Sequence, residues 1–121
     1  EQLISTSVFQ YPPLIQKALI YIRQNYHLDI SLSDISRHCG VSEVYFSRVF
    51  KDAMGLPFTK YLNTYRVRIA SHLLLQSNDS LKKIAEKSGF QSYNYFLTVF
   101  KNYMGVTPVQ YREKTMDIPA D

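Results

Sequence analysis

Four side chains in this sequence have the chemistry for nucleophilic or metal-dependent work: Cys39, His27, His38 and His72. A reactive thiol needs a neighbouring base or cation to hold it as thiolate, and a zinc site needs ligands at short, regular spacings. Neither pattern is present. The histidines are scattered without ligand spacing, and Cys39 falls at the inward end of an expected helix with no obvious activating base. The expectation is a structural cysteine, no metal, no cofactor and no catalysis. A single cysteine also excludes an internal disulfide and any cysteine-rich zinc site, which fits a reducing compartment.

Basic side chains are the groups numerous enough to act together. Between residues 35 and 112 there are 11 Lys and Arg against Glu43, Asp52, Asp79 and Glu86, inside a chain whose total charge is +4. A positive middle attracts nucleic acid or an anionic membrane surface, and charge alone does not choose between them. The 121 residues allow one compact domain or two very small ones sharing a core, and 45% hydrophobic with 20% charged residues is an ordinary globular composition. No apolar run approaches the roughly 18 residues that span a bilayer, and residues 1–7 lack the basic end and apolar stretch of a signal peptide. The expected location is the cytoplasm.

The elements that would position such charges emerge from self-comparison. Leu32, Ile35 and Gly40 recur 49 positions later as Leu81, Ile84 and Gly89. Phe46, Val49, Phe50, Lys51, Met54, Gly55 and Tyr61 recur 50 positions later as Phe96, Val99, Phe100, Lys101, Met104, Gly105 and Tyr111. Two copies make a duplicated module rather than a solenoid, which needs three or more units.

Each copy reads as two short helices broken by a glycine. Ser31 with Asp34 predicts a capping box, and Cys39-Gly40 a left-handed close; Asp79-Ser80 and Ser88-Gly89 repeat the arrangement. Ser42 and Ser92 are natural N-caps for the second helices. Phe46, Val49, Phe50 and Ala53 face inward on one, and Phe96, Val99, Phe100 and Tyr103 on the other. The Phe and Tyr pairs of each repeat, Tyr45-Phe46 and Tyr95-Phe96, are expected in the core. Two helices joined by a glycine-containing turn are the parts of a helix-turn-helix, whose second helix enters the DNA major groove.

The flanking segments complete an all-α architecture of about seven helices: two helix-turn-helix subdomains joined by a long linker helix. Residues 13–26 form an amphipathic helix with Leu14, Ala18, Leu19 and Ile22 inward. The linker helix, 59–76, carries apolar residues on more than one stripe, Leu62, Tyr65, Ile69, Ala70, Leu73 and Leu74. Roughly 18 residues would span about 27 Å, against about 34 Å for one DNA turn. Thr107-Pro108 predicts a last helix over 109–114. The expected organisation is therefore 1–12 as a linker remnant from an upstream domain, 13–58 and 77–116 as subdomains around the linker helix, and 117–121 as a tail. Residues 1–10 and 117–121 read as loose ends.

Ile84-Ala85, Gly89-Phe90, Tyr95-Phe96, Phe100-Lys101, Gly105, Thr107-Pro108 and Tyr111-Arg112 together resemble the C-terminal signature of AraC/XylS-type bacterial transcription regulators. The first half resembles the family's less regular motif through Ser42, Tyr45-Phe46, Phe50-Lys51, Gly55, Tyr61-Leu62, Arg66, Ala70 and Leu73-Leu74. The resemblance covers nearly everything from residue 13 to residue 113. It implies double-stranded DNA as partner, with two recognition helices in adjacent major-groove segments. It also implies RNA polymerase as a partner, and an upstream effector or dimerisation domain in the full-length protein.

By the same resemblance, the outward positions of the first recognition helix are Glu43, Val44, Ser47, Arg48 and Lys51, matched by Tyr93, Asn94, Leu97, Thr98 and Lys101 in the second. Base contact is expected from Val44, Ser47, Arg48, Tyr93, Asn94 and Thr98. Arg48 can fork onto guanine O6 and N7, Asn94 can pair with adenine, and Val44 can meet a thymine methyl. Ser42, Glu43, Lys51, Ser92 and Lys101 are expected at phosphates or in auxiliary roles, with the two lysines near the helix middles. Leu97 and Thr98 stand where long polar side chains are common in the family, so the second helix is expected to read sequence less sharply. The competing reading is a helical protein-interaction module that contacts RNA polymerase or a partner regulator; it predicts weak salt dependence and no sequence discrimination.

Overall fold

The computed structural model of the chain describes residues 8–116, and the side chains of residues 8–114. A 3-10 helix, Val8–Gln10, precedes seven α-helices: α1 Pro13–Asn25, α2 Leu32–His38, α3 Glu43–Met54, α4 Phe58–Gln76, α5 Leu81–Lys87, α6 Tyr93–Met104 and α7 Pro108–Met116. Among the described residues there is no strand. The chain divides into two compact units, one ending at Tyr65 and the next beginning at Arg66. The boundary falls inside the 19-residue α4, which closes the first unit and opens the second.

Local side-chain chemistry fixes the helix ends. The Ser31 hydroxyl accepts the Asp34 N–H at 3.0 Å while the Asp34 carboxylate accepts the Ser31 N–H at 2.9 Å, a complete capping box. Those bonds hold the Asp34 carboxyl below its usual range. In the second unit Ser80 accepts the Lys83 N–H, but lysine has no oxygen to return the bond. Asp79, the residue before the cap, is instead paired with Lys87 at 2.7 Å, which lowers its pKa. Thr107 and Gln110 form a second reciprocal box at the start of α7. The chain's four glycines all sit at φ between 75° and 96°, where an L side chain is strained, and each ends one of the short or recognition-type helices.

Aromatic rings fill the first core. Phe46 and Phe50 of α3 stack at 5.4 Å between ring centres, and Phe58 and Tyr61 of α4 meet Phe50 edge-on. Ile15, Ala18, Leu19 and Ile22 of α1 and Ile35 of α2 close it. Val49 and Ala53 are only partly buried. Ala18, Leu19 and Ile22 are fully buried as expected, but at the start of α1 Ile15 is fully buried and Leu14 only half-buried, so Ile15 takes the inward place expected of Leu14. Two neighbouring apolar residues differ by about 100° around the helix, and composition cannot rank them. The 3-10 helix also replaces the loose end expected at residues 8–10; residues 1–7 and 117–121 lie outside the described part.

The second core repeats the design. Phe96 and Phe100 of α6 lie 5.8 Å apart, Tyr111 of α7 meets Phe100 edge-on at 5.7 Å, and Val67, Ala70, Leu74, Ile84, Ala85, Phe90 and Val99 complete the cluster. Tyr103, expected inside, is 41% exposed, and Met104 packs against the cluster in its place. The unbranched, flexible methionine side chain suits that gap. Arg112 of α7 binds three backbone carbonyls at the α4–α5 junction: Nε to Leu74 at 3.1 Å, Nη1 to Asp79 at 3.0 Å and Nη2 to Ser77 at 3.1 Å.

Candidate nucleic-acid interface

The outer face of α3 gathers most of the residues singled out in the first repeat. Glu43, Val44, Ser47, Arg48 and Lys51, with Leu32 from the start of α2, line one shallow, open depression. Val44 is 76% exposed, an unusual position for an aliphatic side chain on a helix whose opposite face is packed. Ser42 is committed locally: its hydroxyl accepts the Tyr45 N–H at 3.1 Å as the N-cap of α3. Its hydroxyl hydrogen is still available to a phosphate oxygen. Leu32 had been notable only as a repeat marker, and its place beside Val44 becomes visible only once α2 and α3 are packed.

On α6 the equivalent residues divide. Asn94, Thr98 and Lys101 are exposed, whereas Tyr93 and Leu97, both expected to point outward, are half-buried against the second core. The Tyr93 ring centre lies 6.3 Å from that of Phe96. Ser92 caps α6 as Ser42 caps α3, accepting the Tyr95 N–H at 3.2 Å. Lys51 and Lys101 stand in the last turns of their helices rather than near the middles. Their backbone carbonyls each accept a glycine N–H at 2.8 Å, from Gly55 and Gly105. Both lysines are exposed, at matching positions of their helices.

Two tyrosines depart from the core expectation. Tyr45 and Tyr95, one repeat apart, are 44% and 47% exposed while the adjacent Phe46 and Phe96 are fully buried. The Tyr45 ring lies under the Arg48 guanidinium, with the central carbon 5.4 Å from the ring centre. At the corresponding place in α6 the residue three positions on is Thr98, which offers no cation. The tyrosine–phenylalanine pair reads as uniformly apolar in sequence, and helical phase alone separates its two members.

The remaining chemistry is quiet. The Cys39 thiol is pushed up by burial, opposed in part by Lys17, so it favours the protonated, unreactive form. Among the described residues no group of three His, Cys, Asp or Glu side chains could hold a metal ion, and no helix is long and apolar enough to cross a membrane.

Comparison with known proteins places this geometry. Residues 35–114 match the family described as "Helix-turn-helix domain". The chain is 37% identical over 100 residues to the regulatory protein PocR of Salmonella typhimurium, covering 83% of this chain and 33% of PocR. It spans only 12% of an HTH-type transcriptional regulator of Staphylococcus aureus, at 37% identity. Among solved structures, the C-terminal domain of AraT, a response regulator from Geobacillus stearothermophilus, matches with a TM-score of 0.83 and 36% identity, covering 85% of this chain and 86% of that one. The DNA-binding domain of AdpA, solved in complex with a target DNA, matches with a TM-score of 0.81 and 25% identity over 86% of this chain and 93% of its own. With the family match extending over both repeats, the chain belongs to the AraC-type helix-turn-helix family.

Proposed function

We propose that this chain is the double-stranded DNA reader of a transcription regulator, with α3 and α6 entering adjacent major-groove segments. The observation that carries the reading is the exposed α3 face, where Val44, Ser47 and Arg48 stand together on a helix whose opposite face is anchored by Phe46 and Phe50. A guanidinium with no carboxylate partner among the described residues and an exposed isopropyl group match the guanine edge and the thymine methyl of the major groove. AdpA's complex with a target DNA supports the same use of this fold. Asn94 and Thr98, with a lesser contribution from the half-buried Tyr93, are the base readers of α6. Lys51 and Lys101 neutralise phosphate, and Ser42, Glu43 and Ser92 orient the entering helix ends.

The reading is asymmetric: α3 discriminates sharply, and α6 adds a modest A·T preference through Asn94. RNA polymerase is a proposed partner. So is an upstream effector or dimerisation domain, given that the chain spans 33% of PocR. The proposed setting is the cytoplasm, without catalysis. Selection of duplexes from random DNA, followed by binding of wild type and Arg48→Ala to the selected site, tests the assignment. The variant is expected to lose about 1 to 3 kcal/mol on that site and little on random DNA. Enrichment of no sequence, with binding that barely changes with salt, would replace this reading with a protein-interaction module.

A further inference from the structure

The α3 face contains one more device. We infer that Tyr45 is a positioning residue for Arg48: its ring holds the guanidinium in readiness for a guanine edge, which makes Tyr45 a determinant of specificity without base contact of its own. The inference rests on the proposed reading of Arg48.

Four observations meet here. The Arg48 central carbon sits 5.4 Å from the Tyr45 ring centre, inside the range of a cation–π contact. The backbone that carries the ring is fixed, because the Tyr45 N–H is bound by the Ser42 cap and its neighbour Phe46 is fully buried. Among the described residues no carboxylate lies within ion-pair distance of Arg48, so the ring is what restrains it. Finally, Arg48 and Val44 line the same depression, on the side that faces away from the core.

The type of restraint matters. A carboxylate partner would occupy the in-plane N–H donors that a guanine needs, and DNA would then have to break that pair. A ring face attracts the cation from above or below its plane and leaves the five N–H donors free. Long side chains lose much rotamer freedom on binding, so an arginine already confined loses less when it docks. In α6 the same tyrosine is present as Tyr95, yet Thr98 replaces the arginine, so the device exists in only one unit.

The test uses the 121-residue chain as wild type, Tyr45→Phe, Tyr45→Leu, Arg48→Ala and the Tyr45→Leu/Arg48→Ala double variant. Each is titrated against three duplexes: one recovered by selection from random DNA, the same duplex with its discriminated guanine replaced, and a random sequence. Tyr45→Leu is expected to bind the selected duplex about two- to fivefold more weakly, the size of an exposed cation–π contact, with the other two duplexes unchanged. Tyr45→Phe should keep wild-type affinity, since the ring face remains. In the Arg48→Ala background the leucine change should cost nothing further. Equal weakening on all three duplexes, a matching loss in Tyr45→Phe, or an undiminished loss in the double variant would each overturn the inference. The first two point to a phosphate contact by the phenol. If Arg48→Ala itself leaves guanine discrimination intact, the reading of Arg48 fails, and the role of Tyr45 falls with it.

Discussion

Replacing Arg112 with alanine removes three charge-assisted hydrogen bonds at once, to the carbonyls of Leu74, Ser77 and Asp79. A single hydrogen bond to a charged group contributes about 1.5–3 kcal/mol, but the three share one side chain and do not add. The arginine is half-buried, so water can reach part of the vacated site. A net loss of about 2–4 kcal/mol in the stability of the second unit follows. Arg112→Lys should recover less than half of it, because one ammonium nitrogen cannot reach three carbonyls that match the spread of a guanidinium. Urea unfolding followed by hydrogen exchange, which resolves the two units separately, is the appropriate assay. Amides of α5 and α6 should lose protection while those of α2 and α3 keep theirs. A loss below about 0.5 kcal/mol would refute the reasoning and show that the junction is held by the packing of Leu74 and Ile84 alone.

Two further outcomes are expected. Lys51→Ala and Lys101→Ala should each weaken binding to every duplex alike and reduce the salt slope by about 1; weakening confined to the selected duplex would make the lysine a base reader. Gly55→Ala should cost about 1–2 kcal/mol in thermal unfolding from backbone strain alone. A Cβ there meets nothing within 4 Å, so a larger loss would mean that the turn itself shifts.

The helix boundaries were legible in the sequence because their causes are local. Ser31, Ser42, Ser80 and Ser92 act within three residues of where they stand, and each glycine turn needs only its own backbone angle. Helix α7 is the partial exception, running Pro108–Met116 where 109–114 was expected, since Pro108 itself takes the first helical position. What the sequence left open was rotational phase. Leu14 against Ile15, Tyr103 against Met104 and Tyr45 against Phe46 are each adjacent residues large and apolar enough to enter a core, and which one faces inward depends on the helices packed against them. The same limit applied to the site: Arg48 and Asn94 were visible as polar residues at outward positions. The seating of Leu97 and Tyr93 against the second core was not.

That difference in seating bears on how such a protein can change. Val44 and Arg48 are exposed, so substitutions there should alter stability by no more than about 0.5 kcal/mol and leave selection free to retarget the helix. In α6 Tyr93 stands at the position of Glu43 and Leu97 at that of Ser47, and both also pack against the second core, Tyr93 beside Phe96. Any change that alters what α6 reads at those positions also opens the second core to water. The two halves of the duplication therefore diverge under unequal constraint: α3 can wander among target sequences at Val44 and Arg48, whereas α6 is free to do so at the exposed Asn94 and Thr98 and held at Tyr93 and Leu97 by the packing beneath them.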